Sequence, residues 1–239
     1  MVRVLFAGPS LPGVRLDAAG IDIRPPAAQG DLQACVLEGA NVVGLVDGVF
    51  ETVAATWHKE ILFALSQGVT VLGAASMGAL RAAECHAFGM IPIGEIAQRY
   101  VSGALDDDAA VAQLHGPAEL GYLRVTEALV DCEAAIAALG ASSRIDAREA
   151  CQLVDAARGL FFKQRTWHAV VDRAGLEGAR GRELLALLPG KERQKQRDAR
   201  RLVEAMQALP DARTLPDPGW HPARTPAWLR TLNRREAAP

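Results

Sequence analysis

The sequence predicts an α/β protein with an N-terminal parallel sheet and flanking helices, followed by an all-helical C-terminal region. Short apolar runs at residues 3–7, 41–46 and 69–72 alternate with segments of helical periodicity. Strands that alternate with helices of about ten to fifteen residues are typical of right-handed βαβ units, which form a parallel sheet covered on both faces. After residue 87 no comparable strand is predicted, so the second half is expected to be helical.

Turn residues and helical periodicity define the elements of the first third. A helix is expected to begin at Asp31, a favoured N-cap residue. The next helix is expected because Val53, Trp57 and Ile61 recur on one helical face. The predicted strands lie at 3–7, 21–24, 41–46 and 69–72, and the predicted helices at 31–39 and from 52 or 53 to 66.

Beyond residue 87, punctuation by Gly, Pro and Ser separates six predicted helices. They lie at residues 93–102, 117–139, 146–157, 166–174, 177–188 and 191–209. The last one carries a basic run at 191–201, which predicts a solvated face. The Pro-containing tail is predicted to lie over the body or to extend to a partner. The predicted division is a core domain at 1–142, a helical region at 143–209 and a tail at 210–239.

Composition restricts the function classes. With 239 residues, half of them apolar, the chain can bury a sizeable core. Its net charge of -2 offers no electrostatic basis for binding nucleic acid or an acidic membrane surface. No apolar run resembles a signal peptide or a membrane span, so we expect a cytoplasmic protein. The four cysteines form no Cys-x-x-Cys pair, which argues against a zinc or redox site.

The turn between the strand at 69–72 and the following helix carries the strongest chemical signal. Its order Ala74-Ala75-Ser76-Met77-Gly78 differs by one methyl group from the Gly-x-Ser-x-Gly nucleophile elbow, which exposes a serine hydroxyl at the end of a sheet. The alternative interpretation is that Ser76 caps the helix, because serine is a favoured N-cap residue.

Parallel strands deliver their following loops to one edge of the sheet, where ligands bind. Ser10, Asp47 and Ser76 each follow a predicted strand, and we expect them at this edge. Lys59 lies ten residues before the strand that leads to Ser76, about 15 Å of helix, which brings it to a similar level. A partly desolvated lysine beside a serine can act as its general base. The Met77 N–H, at the helix start, is a candidate oxyanion donor.

Each supporting residue also has a plainer interpretation. A single lysine such as Lys59 is most often solvated and paired with an acid. His58 competes with Lys59 as the base, but neighbouring helical residues point about 100° apart, so a packing partner is the simpler role for His58. Asp47 either orients the base or a water, or belongs to an ordinary Asp-Gly turn.

Three further features also leave alternatives open. Arg81 and Glu84 form either an i, i+3 ion pair or a holder for a ligand carboxylate. The acids at 106–108, with His115 nearby, suggest a metal site, although an N-cap with first-turn acids explains them more simply. We expect no metal and no cofactor. His115 remains a candidate cleft residue.

The combined pattern resembles the TfuA core domain over roughly residues 1–140. The strings that carry this resemblance lie at 8–11 (GPSL), 24–26 (RPP), 44–50 (GLVDGVF), 58–62 (HKEIL), 75–84 (ASMGALRAAE) and 115–117 (HGP). The resemblance implies a partner of YcaO-type enzymes, which use ATP to activate a backbone amide so that sulfur replaces its oxygen. It also implies a ubiquitin-like sulfur-carrier protein with a thiocarboxylate terminus, and a peptide substrate.

Carried onto this chain, the resemblance implies that Ser76 is the nucleophile and Lys59 its base in hydrolysis of the carrier thiocarboxylate, which releases sulfide. Ser10, Asp47 and Arg81 are secondary candidates. Two other functions remain open from the sequence. One is a non-catalytic docking module that recruits the peptide to YcaO, and the other is a stand-alone serine esterase.

Overall fold

A computed structural model describes residues 2–12, 20–49, 53–188, 193–214, 219–223 and 225–231, with the backbone continuing to 236. It confirms the predicted fold class. The sheet is parallel throughout and has five strands in the order β2-β1-β3-β4-β5. The strands are β1 (Arg3–Phe6), β2 (Ile21–Arg24), β3 (Val42–Leu45), β4 (Thr70–Gly73) and β5 (Ile91–Pro92).

The central strands are apolar along their whole length because helices cover both faces of the sheet. Leu5 of β1 pairs with Gly44 of β3, which pairs in turn with Leu72 of β4. In the described residues, the strand that follows residue 87 is the two-residue β5, which was not predicted and pairs with the end of β4. Two residues, one of them proline, are too few to give a detectable strand pattern.

Ten α-helices are assigned in the described residues. They are α1 (Asp31–Leu37), α2 (His58–Ser66), α3 (Met77–Cys85), α4 (Gly94–Val101), α5 (Leu129–Ala141), α6 (Ala147–Arg158), α7 (Trp167–Arg173), α8 (Gly178–Leu187), α9 (Gln194–Ala208) and α10 (Pro226–Glu236). The predicted N-cap of α1 was wrong by one residue: Gly30 occupies that position, and the Asp31 carboxylate accepts the Ala28 N–H at 2.8 Å.

Two predicted helices begin later than expected. The helix expected from residue 52 or 53 begins at His58, where the Glu60 carboxylate accepts the Trp57 N–H at 3.1 Å and caps it. Val53 lies outside the helix, and residue 52 lies outside the described residues. The helix predicted at 117–139 was wrong in its first half. Gly121 and Tyr122 adopt positive φ there, which ends a short 3-10 turn, and α5 starts only at Leu129.

The long helix α9 covers one face of the sheet, while α1 and α2 pack on the other. Gly44 of β3 permits the close approach of α9, because a Cβ there would lie 2.4 Å from Met206 Sδ. The helices α4 to α8 form a separate apolar cluster beside the sheet. The division at residues 142 and 209 stays a prediction, although α9, which precedes the second boundary, shares its core with the strands.

The tail lies over the body, one of the two predicted arrangements, and it contains the helix α10, which the sequence analysis did not predict. Trp228 of α10 is buried against Phe63 of α2, with ring centroids 5.7 Å apart. The Arg213 guanidinium donates hydrogen bonds to the carbonyls of Val36 and Ala40. Within the described ranges, no helix combines the length and apolar character needed to cross a bilayer.

Candidate functional site

Ser76 lies at a sharp turn between β4 and α3. The preceding residue, Ala75, adopts a left-handed φ of 66°, and the Ser76 N–H donates to the Ala74 carbonyl at 2.8 Å, which closes a γ-turn. Ser76 occupies the N-cap position of α3, yet its side chain makes no capping hydrogen bond. The side chain is 3% exposed. Its hydroxyl is therefore not used to stabilise the helix start.

Gly78 allows this elbow to pack closely against the end of β3. A Cβ on Gly78 would lie 1.7 Å from the Leu45 carbonyl oxygen, so only glycine fits without a backbone shift. The Gly78 N–H donates to the Val46 carbonyl at 3.2 Å, whereas the Met77 N–H has no acceptor in the described part of the chain. An N–H in the first turn of a helix carries the positive end of the helix dipole. The predicted oxyanion donor is thus uncommitted.

Asp47 and Ser10 lie together at the same edge of the sheet, as expected. The buried Asp47 carboxylate accepts the backbone N–H groups of Gly8 (2.8 Å) and Ser10 (2.9 Å) and the Ser10 hydroxyl (2.6 Å). The Asp47 side chain therefore joins the loop after β1 to the loop after β3. The following residue, Gly48, contacts the elbow, because a Cβ on it would lie 2.2 Å from Met77 Sδ.

Lys59 is the second residue of α2, and its ammonium contacts the tail. The Nζ atom donates to the Ala223 carbonyl and to the Thr225 hydroxyl, both at 3.0 Å. No hydrogen bond joins Lys59 to Ser76 among the described residues. A role for Lys59 as the base requires it to exchange these tail contacts for the serine.

His58, Arg81 and Glu84 form a separate ionic group between α2 and α3. The predicted pair of Arg81 and Glu84 is confirmed, with 2.6 Å between Nη1 and the carboxylate, and His58 Nε2 lies 2.7 Å from the same oxygen. Burial raises the pKa of Glu84, but its hydrogen bonds with His58 and Arg81 outweigh burial and leave the pKa below its usual value. The contact of His58 is thus with an acid and not with Ser76.

His115 is exposed, and Tyr122 lies between its ring and the loop after β1. Its ring packs against Tyr122 with centroids 5.6 Å apart, and Tyr122 lies over Gly8, where a Cβ would come within 3.0 Å of the ring. Burial and the charge of Asp47 both raise the pKa of Tyr122. The segment that carries His115 therefore covers the loop anchored by Asp47.

The acids at 106–108 take the simpler of their two predicted roles. The Asp107 carboxylate accepts the Ala109 N–H at 2.8 Å and caps the short 3-10 helix Asp108–Ala110. Among the residues with a described position, no group of three or more His, Cys, Asp or Glu side chains is arranged to hold a metal.

Two buried ionisable residues, Lys195 at the start of α9 and Asp131 on α5, were not predicted from the sequence, and the Asp131 carboxylate accepts the Lys195 backbone N–H. Lys195 and Asp131 are each 2% exposed, so the prediction of a solvated face over the basic run was wrong at Lys195. Lys195 Nζ donates to the Val111 carbonyl at 2.9 Å. Burial lowers the pKa of Lys195, while the charges of Asp47 and Asp131 oppose that shift. Burial raises the pKa of Asp131, against the charge of Lys195.

A periodic signal for Lys195 was present in the sequence. Lys195, Ala199, Leu202 and Met206 recur at spacings of four, three and four residues, which places the lysine on the apolar face of α9. For Asp131 no local signal exists, because its neighbours on α5 are apolar and its hydrogen-bond donor lies 64 residues away.

Comparison with known families agrees with this arrangement. Residues 47–166, half of the chain, match the family described as TfuA-like protein. A comparison with curated proteins gives no match. The matched range holds Asp47, Lys59, the elbow and His115, whereas β1 and α9 lie outside it. At the level of the family, the match supports an accessory role beside YcaO-type enzymes. On this evidence the chain belongs to the TfuA-like family.

Proposed function

We propose that this protein hydrolyses the thiocarboxylate terminus of a sulfur-carrier protein and so supplies sulfide for YcaO-dependent peptide thioamidation. The observation that carries the proposal is the uncommitted hydroxyl of Ser76 at a strained strand-to-helix turn. A serine that only capped α3 would accept an N–H from the first helical turn, and Ser76 does not. The free N–H of Met77 adds a donor for a developing oxyanion.

The proposed reaction has two steps and uses no metal or cofactor. Ser76 Oγ bonds to the acyl carbon, the carbon–sulfur bond breaks, and the hydroxyl proton passes through Lys59 to the departing sulfur, which leaves as hydrosulfide. Water then hydrolyses the acyl-serine, which restores the hydroxyl and leaves the carrier with a carboxylate. The Met77 N–H stabilises the negative oxygen in both steps.

Lys59 serves as the base in this proposal only after it leaves the tail. Its two acceptors, the Ala223 carbonyl and the Thr225 hydroxyl, lie in the segment before α10. A partner that displaces this segment would free the ammonium. Release of sulfide would then be coupled to docking.

The test measures sulfide released from a thiocarboxylated carrier by the full-length chain. Ser76→Ala is expected to abolish release without loss of fold, because the Ser76 hydroxyl neither caps α3 nor bonds to any other residue that the structure describes. The matched control is Ser102→Ala, which removes an exposed hydroxyl bonded to the Arg99 carbonyl and should leave release unchanged. Full activity of Ser76→Ala would refute the assignment of the nucleophile.

A second candidate function is a non-catalytic docking module for YcaO and its peptide. The observation in its favour is that Lys59 is held by the tail, as a purely structural lysine would be. In a reconstituted thioamidation system with free sulfide supplied, both candidates predict product. With the thiocarboxylated carrier as the only sulfur source, the docking module alone predicts that Ser76→Ala and Lys59→Ala remain active.

A further inference from the structure

A polar pocket opens at the carboxyl edge of the sheet, between the loop after β1 and the first turns of α5 and α9. We name it the α5–α9 pocket. Neither Ser76 nor Lys59 lines it, so a ligand there would be additional to the proposed reaction. Its polar lining comes mainly from Ser10, Gln113, Arg124, Asp131, Arg193 and Lys195.

The pocket contains one unused hydrogen-bond acceptor. Asp131 Oδ1 accepts the backbone N–H of Lys195 at 2.9 Å, whereas the buried Oδ2 has no partner in the described part of the chain. Folded proteins satisfy nearly all buried polar atoms, and a carboxylate oxygen without a donor is among the more costly exceptions. The orphaned oxygen therefore indicates a hydrogen-bond donor on whatever occupies the pocket.

The same pocket contains unused cationic donors. Arg124 and Arg193 each contact the Glu127 carboxylate through Nε only, at 3.1 and 3.4 Å. Their terminal Nη groups donate no hydrogen bond to the residues that the structure describes. Guanidinium groups recognise carboxylates through paired, planar hydrogen bonds. The buried ammonium of Lys195 adds a further positive charge.

We propose that the α5–α9 pocket binds the C-terminal residue of a peptide chain. The terminal carboxylate meets the Nη groups of Arg124 and Arg193, and the amide N–H of the same residue donates to Asp131 Oδ2. Both ligand groups are attached to one Cα atom, so one residue carries a partner for Asp131 and a partner for the arginines that line the same pocket. Sulfate would satisfy the arginines but supplies no hydrogen-bond donor for Asp131. This proposal does not depend on the Ser76 chemistry.

The test is calorimetric titration of the full-length chain with N-acetylglycylglycine. Binding is expected, and it should weaken at least about tenfold when the ligand carboxylate is converted to an amide, since the arginines then lose their charged hydrogen-bond acceptor. An ester analogue, with oxygen in place of the last N–H, should weaken similarly. Free glycine separates a small amino acid from a peptide end and is expected to bind more weakly.

Variants assign the contacts. Asp131→Asn keeps an oxygen for the Lys195 N–H but replaces the second acceptor with a donor, so it should weaken binding of the peptide but not of the ester analogue, whose oxygen can accept from the new amide. Arg124→Gln combined with Arg193→Gln should abolish binding, and Arg158→Gln, an exposed arginine paired with Glu133, is the control. The proposal fails if the wild type does not bind the peptide, if Asp131→Asn binds it undiminished, or if glycine binds as tightly.

Discussion

At the scale of single residues, Asp47 is the carboxylate on which the geometry of the sheet edge depends. Both of its oxygens accept hydrogen bonds, and three donors from the loop after β1 converge on it. Without this acceptor, two buried backbone N–H groups and one hydroxyl would have to find other partners.

We therefore expect Asp47→Asn to destabilise the protein by about 2–3 kcal/mol, because asparagine keeps only one accepting oxygen and its amide nitrogen is a donor, which cannot accept the remaining hydrogen bonds. The measurement is urea unfolding followed by circular dichroism. Asp172→Asn, at an exposed position on α7, is the matched control and should cost less than about 0.5 kcal/mol. Equal effects of the two variants would contradict the anchoring role of Asp47.

Lys195 makes the stability of the protein depend on pH. Because burial lowers its folded-state pKa below the unfolded value, the unfolded chain holds more protons in the interval between the two. Stability should therefore rise with pH as pH climbs from the folded pKa toward the unfolded value, about 10.4. The charged groups that contribute around it are Asp47, Asp131, Arg124 and Arg193.

The measurement compares unfolding free energies of the wild type and Lys195→Met from pH 7 to pH 10.5. The free energy of unfolding of Lys195→Met, relative to that of the wild type, should fall as pH rises. The reason is that Lys195 in the wild type becomes neutral, so that burying it no longer costs the desolvation of a charge. Lys163→Met, at an exposed lysine, controls for the loss of one charge. A pH-independent difference between wild type and Lys195→Met would show that burial does not shift this lysine.

At the scale of elements, the contact of α3 with β3 determines where Ser76 lies. Gly78→Ala should destabilise the protein by more than about 3 kcal/mol, because the new methyl group would overlap the Leu45 backbone and not a movable side chain. Thermal unfolding monitors this effect.

Gly140→Ala is the matched control, since this α5 glycine has open space around its Cβ position. It should stabilise the protein by about 0.5–1 kcal/mol through helix propensity. If the two substitutions were equally tolerated, the close approach of the elbow to β3 would be wrong.

At the scale of the whole molecule, the tail connects the first turn of α2 to the C-terminal helix. Trp228 buries its ring against Phe63, and the segment before it holds Lys59. Trp228→Ala should release α10, increase amide hydrogen exchange in residues 226–236 and, under the proposed mechanism, raise sulfide release several-fold as Lys59 becomes free.

Trp220→Ala is the control for this prediction, because Trp220 packs edge-on against Phe88 and is less buried. It should leave exchange in α10 near the wild-type level. If Trp228→Ala speeds up exchange in α10 but does not raise sulfide release, then release of the tail does not activate Lys59, and this part of the proposed mechanism is wrong.

Local patterns were sufficient to predict β1 to β4 and the turn that carries Ser76, but not β5. Apolar runs bounded by turn residues are local signals, and the order of strands and helices predicts a parallel sheet. For the same reason Ser10 and Asp47 were expected at one edge, and the structure joins them by hydrogen bonds. The start of α2 was misjudged because its capping residue, Glu60, also accepts N–H groups of Gly30 and Gln33 on another element.

The sequence by itself determined the α/β class, the elbow at Ser76 and the family, because each depends on residues close together in the chain. Only the tertiary structure decided that Lys59 contacts the tail, that β5 extends the sheet, and that Lys195 and Asp131 meet in a pocket. The contacts of Lys59 and of Lys195 with Asp131 join residues that lie at least 64 positions from each other in the chain. The strand β5 is closer to its partner but is too short to give a local pattern. All of these contacts depend on which surfaces packing brings together and buries, and the local sequence does not encode this.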